Sequence, residues 1–181
     1  MTTQFIYAGI GSRETPADVQ HYMKQLGKYL AINNALLRSG GADGADKAFE
    51  LGCDDANGNK DIYIPWPGFN NSDSPLSNQT DMAMGIASKF HPAWNRLTVP
   101  VRKLMARNVH QVLGDDCGTP CHAIICYTKN GSGAGGTGQA LRIAKHYGIP
   151  IFDFGKFIDS LNVPAKEAYF IILHDLNKIM P

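Results

Sequence analysis

Short apolar runs alternate with amphipathic stretches along the chain. Apolar runs at residues 5–8, 35–39, 62–65, 122–127 and 149–154 predict five strands. Helical periodicity predicts helices at about residues 16–32, 45–51, 82–89, 101–113, 137–147 and 164–179. Such alternation is typical of a parallel sheet with helices on both faces. The pattern therefore predicts a three-layer α/β domain with a mostly parallel sheet of about five strands.

Local signals refine two segments of this pattern. Thr15 is predicted to cap the first helix, with Pro16 as its first residue and Asp18 as a favourable charge in its first turn. Residues 66–80 are rich in Pro, Gly, Asn and Ser without periodicity, which predicts a long loop of the functional or disordered kind. We expect one domain over residues 1–181, with this loop and a C-terminal helix at 164–179.

Composition and charge narrow the function classes. The chain has 181 residues, 44% hydrophobic and 18% charged, which is typical of globular proteins. It shows no bilayer-length apolar run and no secretory leader pattern, so we expect a cytoplasmic protein. A formal net charge of +1 gives little general attraction to a polyanion, so nucleic acid is an unlikely partner unless basic residues are locally concentrated.

The four cysteines show no paired C-x-x-C spacing. Cys117, Cys121 and His122 are conceivable metal ligands, but a tetrahedral zinc site needs a fourth ligand at a recognisable spacing. Free thiols are the favoured interpretation, and we predict neither a metal nor a cofactor.

Three predicted strands end in glycine-rich turns that lead into helices. These turns are GIGSR at 9–13, SGGADGAD at 39–46 and NGSGAGGTG at 130–138. Ligands of parallel sheets bind beyond the carboxyl ends of the strands, where glycine permits close backbone approach and helix N-termini favour anions. The three loops together predict a site for a nucleotide-like ligand, although glycines after strands are also ordinary turn residues.

Neither standard nucleotide motif fits these loops. The dinucleotide fingerprint G-x-G-x-x-G fails because Glu14 stands where the third glycine belongs. The P-loop motif fails because Gly131 and Gly136 have the right separation, but Thr137 follows in place of lysine. A different way of holding the ligand is therefore expected.

Four motifs taken together resemble a known superfamily. GIGSR, LRSGGADGAD, ARN at 106–108 and GGTGQALRIAKHYGIPI look like the SLOG superfamily of Rossmann-like domains, which includes DprA, the LOG phosphoribohydrolases and YpsA-like proteins. The order of these motifs is most similar to that in small stand-alone YspA/YpsA-related proteins of phages and bacteria. The resemblance implies a Rossmann-like fold that binds a nucleotide or nucleotide-derived signal. With the loop pattern, it predicts as ligand-binding residues Gly9, Gly11, Ser12, Arg13, Ser39, Gly40, Gly41, Ala42, Asp43, Arg107, Asn108, Gly135, Gly136 and Thr137.

Whether the ligand is turned over stays open at this point. LOG enzymes cleave the N-glycosidic bond of a nucleoside monophosphate with a glutamate that follows their glycine motif, and AGGTGQA here has Ala134 in place of proline and no such glutamate. Asp46 and Glu50, one helical turn apart, are the substitute catalytic candidates. The hypotheses are capture without turnover, release of a base, and DprA-like binding of single-stranded DNA.

Two further expectations concern side chains outside the loops. Trp66, Phe69 and Trp94 are predicted either to stack on a base or to close the top of the core. The last helix, within AYFIILHDLNKIM, has a wide apolar face that packs on the sheet or on a second copy. We expect a homodimer or higher homo-oligomer.

Overall fold

The computed structural model describes residues 4–181. These residues form five strands, β1 Ile6–Gly11, β2 Leu36–Ser39, β3 Lys60–Ile62, β4 Ala123–Tyr127 and β5 Ile151–Asp153. They also form seven α-helices, α1 Ala17–Ile32, α2 Ala45–Asp54, α3 Asp81–Phe90, α4 Val99–Leu113, α5 Gly135–His146, α6 Phe154–Leu161 and α7 Ala165–Ile179. None of these helices has the length and apolar character needed to cross a membrane.

The five strands form one sheet in the order β3-β2-β1-β4-β5, and every neighbouring pair is parallel. The apolar core on one face comes largely from α1, α2 and α7, and that on the other face from α3, α4 and α5. The predicted three-layer α/β class is confirmed. The order reverses between β1 and β4, and such a switch point leaves a crevice at the carboxyl edge of the sheet.

Several element boundaries differ from the sequence prediction. Pro16 has φ −56° and ψ 147°, so it precedes α1 instead of opening it, and the Thr15 hydroxyl donates to the Ser12 carbonyl at 2.6 Å instead of capping the helix. The third strand ends at Ile62, because the next part of the chain leaves the sheet and the Ile64 N–H donates to the Leu76 carbonyl at 2.9 Å.

Helix α6 is absent from the sequence prediction, which continues the strand through residue 154. Asp153 ends β5 and its carboxylate accepts the Gly155 N–H at 3.0 Å, which caps a new helix. Phe154, predicted as strand, is the first residue of that helix and is fully buried.

The last helix begins one residue later than predicted. Ile172 and Leu176 are fully buried in the core that α1 contributes to. Phe170 and Ile171 face outward, 54% and 39% exposed. Part of the predicted apolar face therefore covers the domain itself, and the oligomeric state stays a prediction.

Helices α1 and α2 approach each other so closely that glycine is required between them. A Cβ at Gly52 in α2 would overlap the Lys24 carbonyl oxygen of α1 and lie 2.9 Å from the Lys28 nitrogen. A Cβ at Gly27 in α1 would lie 2.8 Å from the Phe49 carbonyl oxygen. These contacts set how closely α1 and α2 pack.

We expect Gly52→Ala and Gly85→Ala to change stability in opposite directions. Both glycines lie inside helices, where alanine is favoured by about 1 kcal/mol. Gly85 has open space around its Cβ position, so its variant should be stabilised by about 0.5–1 kcal/mol. Gly52 meets rigid backbone, so its variant should lose about 1–3 kcal/mol. Urea unfolding of the two variants measures the difference, and equal shifts would contradict the packing described here.

Candidate functional site

A cavity of about 390 Å³ lies at the carboxyl edge of the sheet, at the switch point between β1 and β4. Its walls come from the β1–α1 turn, the loop before α2, one face of α4 and the β4–α5 loop. Of the predicted site residues, the lining includes Gly11, Ser12, Arg13, Ala42, Asp46, Arg107, Asn108, Gly135, Gly136 and Thr137. The sheet edge chosen from the glycine loops is thus the edge that carries the cavity.

Asp46, in the first turn of α2, is a buried carboxylate in the cavity wall. It accepts the Gly11 N–H at 3.1 Å and lies 3.8 Å from the Arg107 guanidinium. Burial raises the pKa of Asp46 to about 6, while Arg107 and the N–H groups of Ala42, Gly11 and Gly40 favour its charged form. The carboxylate therefore gathers backbone donors from two of the three glycine loops.

The first two loops are largely closed to an external anion. The Gly11 N–H is bound by Asp46, and the Ser12 N–H donates to the Tyr127 carbonyl at 3.0 Å. The two loops also touch, since the Ala45 N–H donates to the Ser12 carbonyl at 3.3 Å. Gly44 has φ +79°, and a Cβ there would crowd the Ser12 and Arg13 carbonyl oxygens. These glycines allow the two loops to pack against each other.

The third loop presents the start of α5 to the cavity. Ala134 precedes the helix and supplies no side-chain acceptor, so the N–H groups of Gly136 and Thr137 in the first turn have neither a side-chain cap from Ala134 nor an intrahelical partner. The Asn108 side-chain amide donates to the Gly136 carbonyl at 3.0 Å, which ties this turn to α4. A helix start of this kind favours a bound anion.

Hydrogen bonds from two neighbouring elements support the third loop. The Thr128 hydroxyl donates to Asp153 at 2.5 Å and accepts the Gly133 N–H at 3.0 Å. The Asn130 N–H donates to Asp159 of α6 at 2.8 Å. The loop is therefore held in place by β5 and by α6.

Three cationic side chains line the cavity, and Asp46 is the one carboxylate in its lining. Arg13 and Lys129 are exposed, whereas Arg107 is 8% exposed and donates to the Gly40 carbonyl at 2.5 Å. Burial lowers the pKa of Arg107, which Asp46 opposes. Within residues 4–181, the buried Nε of Arg107 has no hydrogen-bond partner. The cavity therefore has an excess of positive charge and an unused donor in its wall.

Several predicted residues lie near the cavity without lining it. The Ser39 hydroxyl donates to the Gly9 carbonyl at 2.7 Å, and a Cβ at Gly9 would lie 2.6 Å from the Phe49 ring. The Gly41 carbonyl and the Asp43 carboxylate both accept from the Asn70 side-chain amide, at 3.1 and 3.0 Å. The Gly40 carbonyl accepts a hydrogen bond from the Arg107 guanidinium. These residues shape the walls from behind.

Glu50 is not brought into the cavity. Its carboxylate pairs with Lys60 at 3.1 Å and with Lys47 at 3.4 Å, so it is directed toward β3. The helical spacing that suggested a joint role with Asp46 is real, but the cation on β3 holds Glu50 away from the ligand edge. Asp46 alone remains as the candidate carboxylate of the cavity.

Of the candidate aromatics, Phe69 is buried, whereas Trp66 and Trp94 are half-buried. Phe69, 8% exposed, meets the Trp66 ring edge to face at 5.3 Å, and the guanidinium carbons of Arg13 and Arg107 lie 5.9 and 6.0 Å from its centroid. Trp94 lies against Arg102 at 5.4 Å. Phe69 therefore supports both cavity arginines.

The sequence interpretation missed part of the lining. Leu104, Met105 and Gln111 come from the α4 face that also carries Arg107 and Asn108. Their spacing of three to four residues from the ARN motif is the signal that identifies them. Thr128 and Lys129 also line the cavity and follow β4 directly. Their position just after a buried parallel strand is the signal that identifies them, because ligands bind at the carboxyl ends of such strands.

The cysteines are separate from this site. All four are buried free thiols, and the Cys117 sulfur lies 3.8 Å from Nδ1 of His110. Within residues 4–181, no group of three or more His, Cys, Asp or Glu side chains is placed to hold a metal ion.

Compared by sequence, the chain matches no family profile and no curated protein. By structure it is similar to DNA processing protein A from Helicobacter pylori, with a TM-score of 0.60 and 17% identity over 96% of this chain and 82% of that one. It is also similar to the molybdenum cofactor carrier protein MCP from Chlamydomonas reinhardtii, with a TM-score of 0.57 and 16% identity over 97% of this chain and 99% of that one. The likeness establishes a Rossmann-like α/β fold, while no sequence match supports the finer resemblance to YpsA-related proteins.

The structural likeness corrects one expectation. The net charge of +1 predicts that nucleic acid is an unlikely partner, and this prediction is wrong as a general argument. DNA processing protein A, which has the same fold over nearly all of this chain, binds single-stranded DNA. Net charge is therefore no argument against such a partner, because the charge that a ligand meets depends on local placement.

The raised pKa of Asp46 leads to a prediction of pH dependence. We expect the stability of the wild type relative to Asp46→Asn to rise as the pH falls from about 7 toward 4. The folded pKa, about 6, lies above the ordinary value of 3.8, so the folded state binds the proton more tightly in this window. Urea unfolding of both proteins at pH 7, 6, 5 and 4 measures this difference. A difference that does not vary with pH would contradict the assignment.

Proposed function

We propose that the cavity binds one phosphate-bearing nucleotide unit, as a free nucleotide or a nucleotide-derived small molecule. The observation that carries the proposal is the uncapped start of α5, which opens into the same cavity as Arg13 and Arg107. Backbone N–H groups at a helix start, together with guanidinium groups, are the donors that recognise phosphate. A volume of about 390 Å³ is also within the usual range for small-molecule sites.

The N–H groups of the first two glycine loops are largely bound within the protein, which favours a ligand with one phosphate group at this edge. Asp46 already occupies the Gly11 N–H, and its negative charge repels a second phosphate. The α4 side of the cavity offers Leu104 and Met105 as apolar surface and Gln111 as a polar contact for the rest of the ligand. The arrangement fits a monophosphate unit better than a nucleoside triphosphate.

We favour binding of the nucleotide without its chemical turnover. A carboxylate that stabilises an oxocarbenium-like centre must face the ribose with a free oxygen. Asp46 is instead engaged by backbone N–H groups and by Arg107, which gives it a structural role already. Release of a base remains the second candidate, because Asp46 lines the cavity and its raised pKa is typical of catalytic acids and bases.

Single-stranded DNA could supply the same ligand group, a nucleotide unit with one phosphate. A strand presents nucleotide units with one phosphate each, which is the unit that the cavity fits. The likeness to a protein that binds single-stranded DNA supports this form of the proposal. Titrating an oligothymidylate beside thymidine monophosphate distinguishes a strand from a free nucleotide.

Arg13→Gln should weaken the binding of nucleoside monophosphates about tenfold, because it removes one charge-assisted phosphate contact. Arg13 is exposed, so the variant should keep its fold. Lys145→Gln, at an exposed position in the last turn of α5, is the matched control and should bind as the wild type does. Calorimetric titration with a panel of nucleoside monophosphates, and with inorganic phosphate alone, measures the affinities. Equal affinities for Arg13→Gln and Lys145→Gln would overturn the assignment of the phosphate position.

For the second candidate, we expect no free base when the wild type is incubated with the same nucleoside monophosphates. Chromatography of the incubation mixture detects a released base directly. If base does appear and Asp46→Asn abolishes its release while nucleotide still binds, the protein is an N-glycosidase and the capture proposal is wrong.

A further inference from the structure

A second concave surface lies beside the N-terminal half of α4. It has a volume of about 280 Å³ and is lined by Trp66, Val99, Pro100 and Lys103. We call these four residues the Trp66 groove. Val99 is 63% exposed and Lys103 is exposed, so a largely apolar surface with one cation faces solvent.

The Trp66 groove adjoins the nucleotide cavity along α4. Lys103 of the groove precedes Leu104 of the cavity, and it lies one helical turn before Arg107 on the same face. Lys103 and Arg107 are therefore separated by a rise of about 6 Å along the helix. Cationic groups thus continue from the cavity into the groove.

The aromatic residues form a second connection between the two surfaces. Trp66 contacts Phe69 edge to face at 5.3 Å, and Phe69 carries both Arg13 and Arg107 of the cavity against its ring. Trp66 is only half-buried. An occupant of the groove would therefore contact Trp66, which packs on the same ring that both cavity arginines adjoin.

We propose that the ligand is a single-stranded oligonucleotide, with one nucleotide unit in the cavity and the base of the adjoining unit stacked in the Trp66 groove. This inference rests on the proposed function and extends it to a class of ligand. An aromatic face with apolar neighbours stacks any base, and an adjacent lysine neutralises the linking phosphate. The combination of aromatic surface, cation and continuity with a phosphate site matches a strand better than an apolar protein segment, which would leave Lys103 without a counter-charge.

Lys103→Gln tests the inference without threatening the fold, since Lys103 is exposed. We expect it to weaken binding of a short oligothymidylate about threefold to tenfold and to lower the slope of log affinity against log salt by a little under one. Thymidine monophosphate should bind the variant as it binds the wild type. Lys145→Gln should change neither affinity. Fluorescence anisotropy of a labelled hexanucleotide, competed with unlabelled ligands, gives all of these values.

Tryptophan emission supplies a second readout. The chain has two tryptophans, so Trp94→Phe leaves Trp66 as the sole indole. The oligothymidylate should quench the emission of this variant by base stacking, and thymidine monophosphate should quench it much less. Trp66→Ala should weaken the binding of the oligonucleotide by a larger factor than the binding of the monophosphate.

The outcomes separate the two proposals. If thymidine monophosphate binds, but the oligothymidylate binds no more tightly and is unaffected by Lys103→Gln, the Trp66 groove inference is overturned and the cavity proposal stands. If neither ligand binds, nor any other nucleotide of the panel, both proposals fail. If the groove instead mediates association between protein molecules, Trp66→Ala will change the oligomeric state by light scattering without changing oligonucleotide affinity, which also overturns the inference.

Discussion

The architecture of the cavity depends on one buried carboxylate, that of Asp46. It binds the Gly11 N–H and faces Arg107, which in turn donates to the Gly40 carbonyl. A buried charge is costly unless other groups compensate it, so these partners are held together by the cost of separating them. Three segments far apart in the sequence, the β1–α1 turn, the loop before α2 and the middle of α4, are thereby fixed around one point.

This constraint makes the three glycine loops unequal. The first two supply donors to Asp46 and pack against each other through Ala45 and Ser12, so their glycines serve the protein's own packing. The third loop is supported by Thr128 and Asp153 from below and leaves the start of α5 open. An internal anion therefore lies beside these two loops, and under the proposed function its charge disfavours a second phosphate there.

The sequence predicted the sheet well because strand and helix periods are local properties. It failed where a distant or competing contact decides the outcome. Asp153 ends β5 and caps α6 inside an apolar run that looks like continuous strand, and Ile64 leaves the sheet to pair with Leu76. The candidate site shows the same limit. Glu50 shares a helix face with Asp46, yet Lys60 on β3 holds it elsewhere, and no spacing rule within α2 reveals that partner.

The failure of the net-charge argument has the same origin. A net charge of +1 is a sum over the whole chain, whereas a ligand responds to the field at one edge. Three carboxylates are paired away from that edge, since Lys60 pairs with Glu50 and Asp54, and Lys24 pairs with Asp55. The cations of the cavity have only Asp46 among them. A nearly neutral chain therefore presents a cationic crevice, because the fold separates its paired charges from those left available to a ligand.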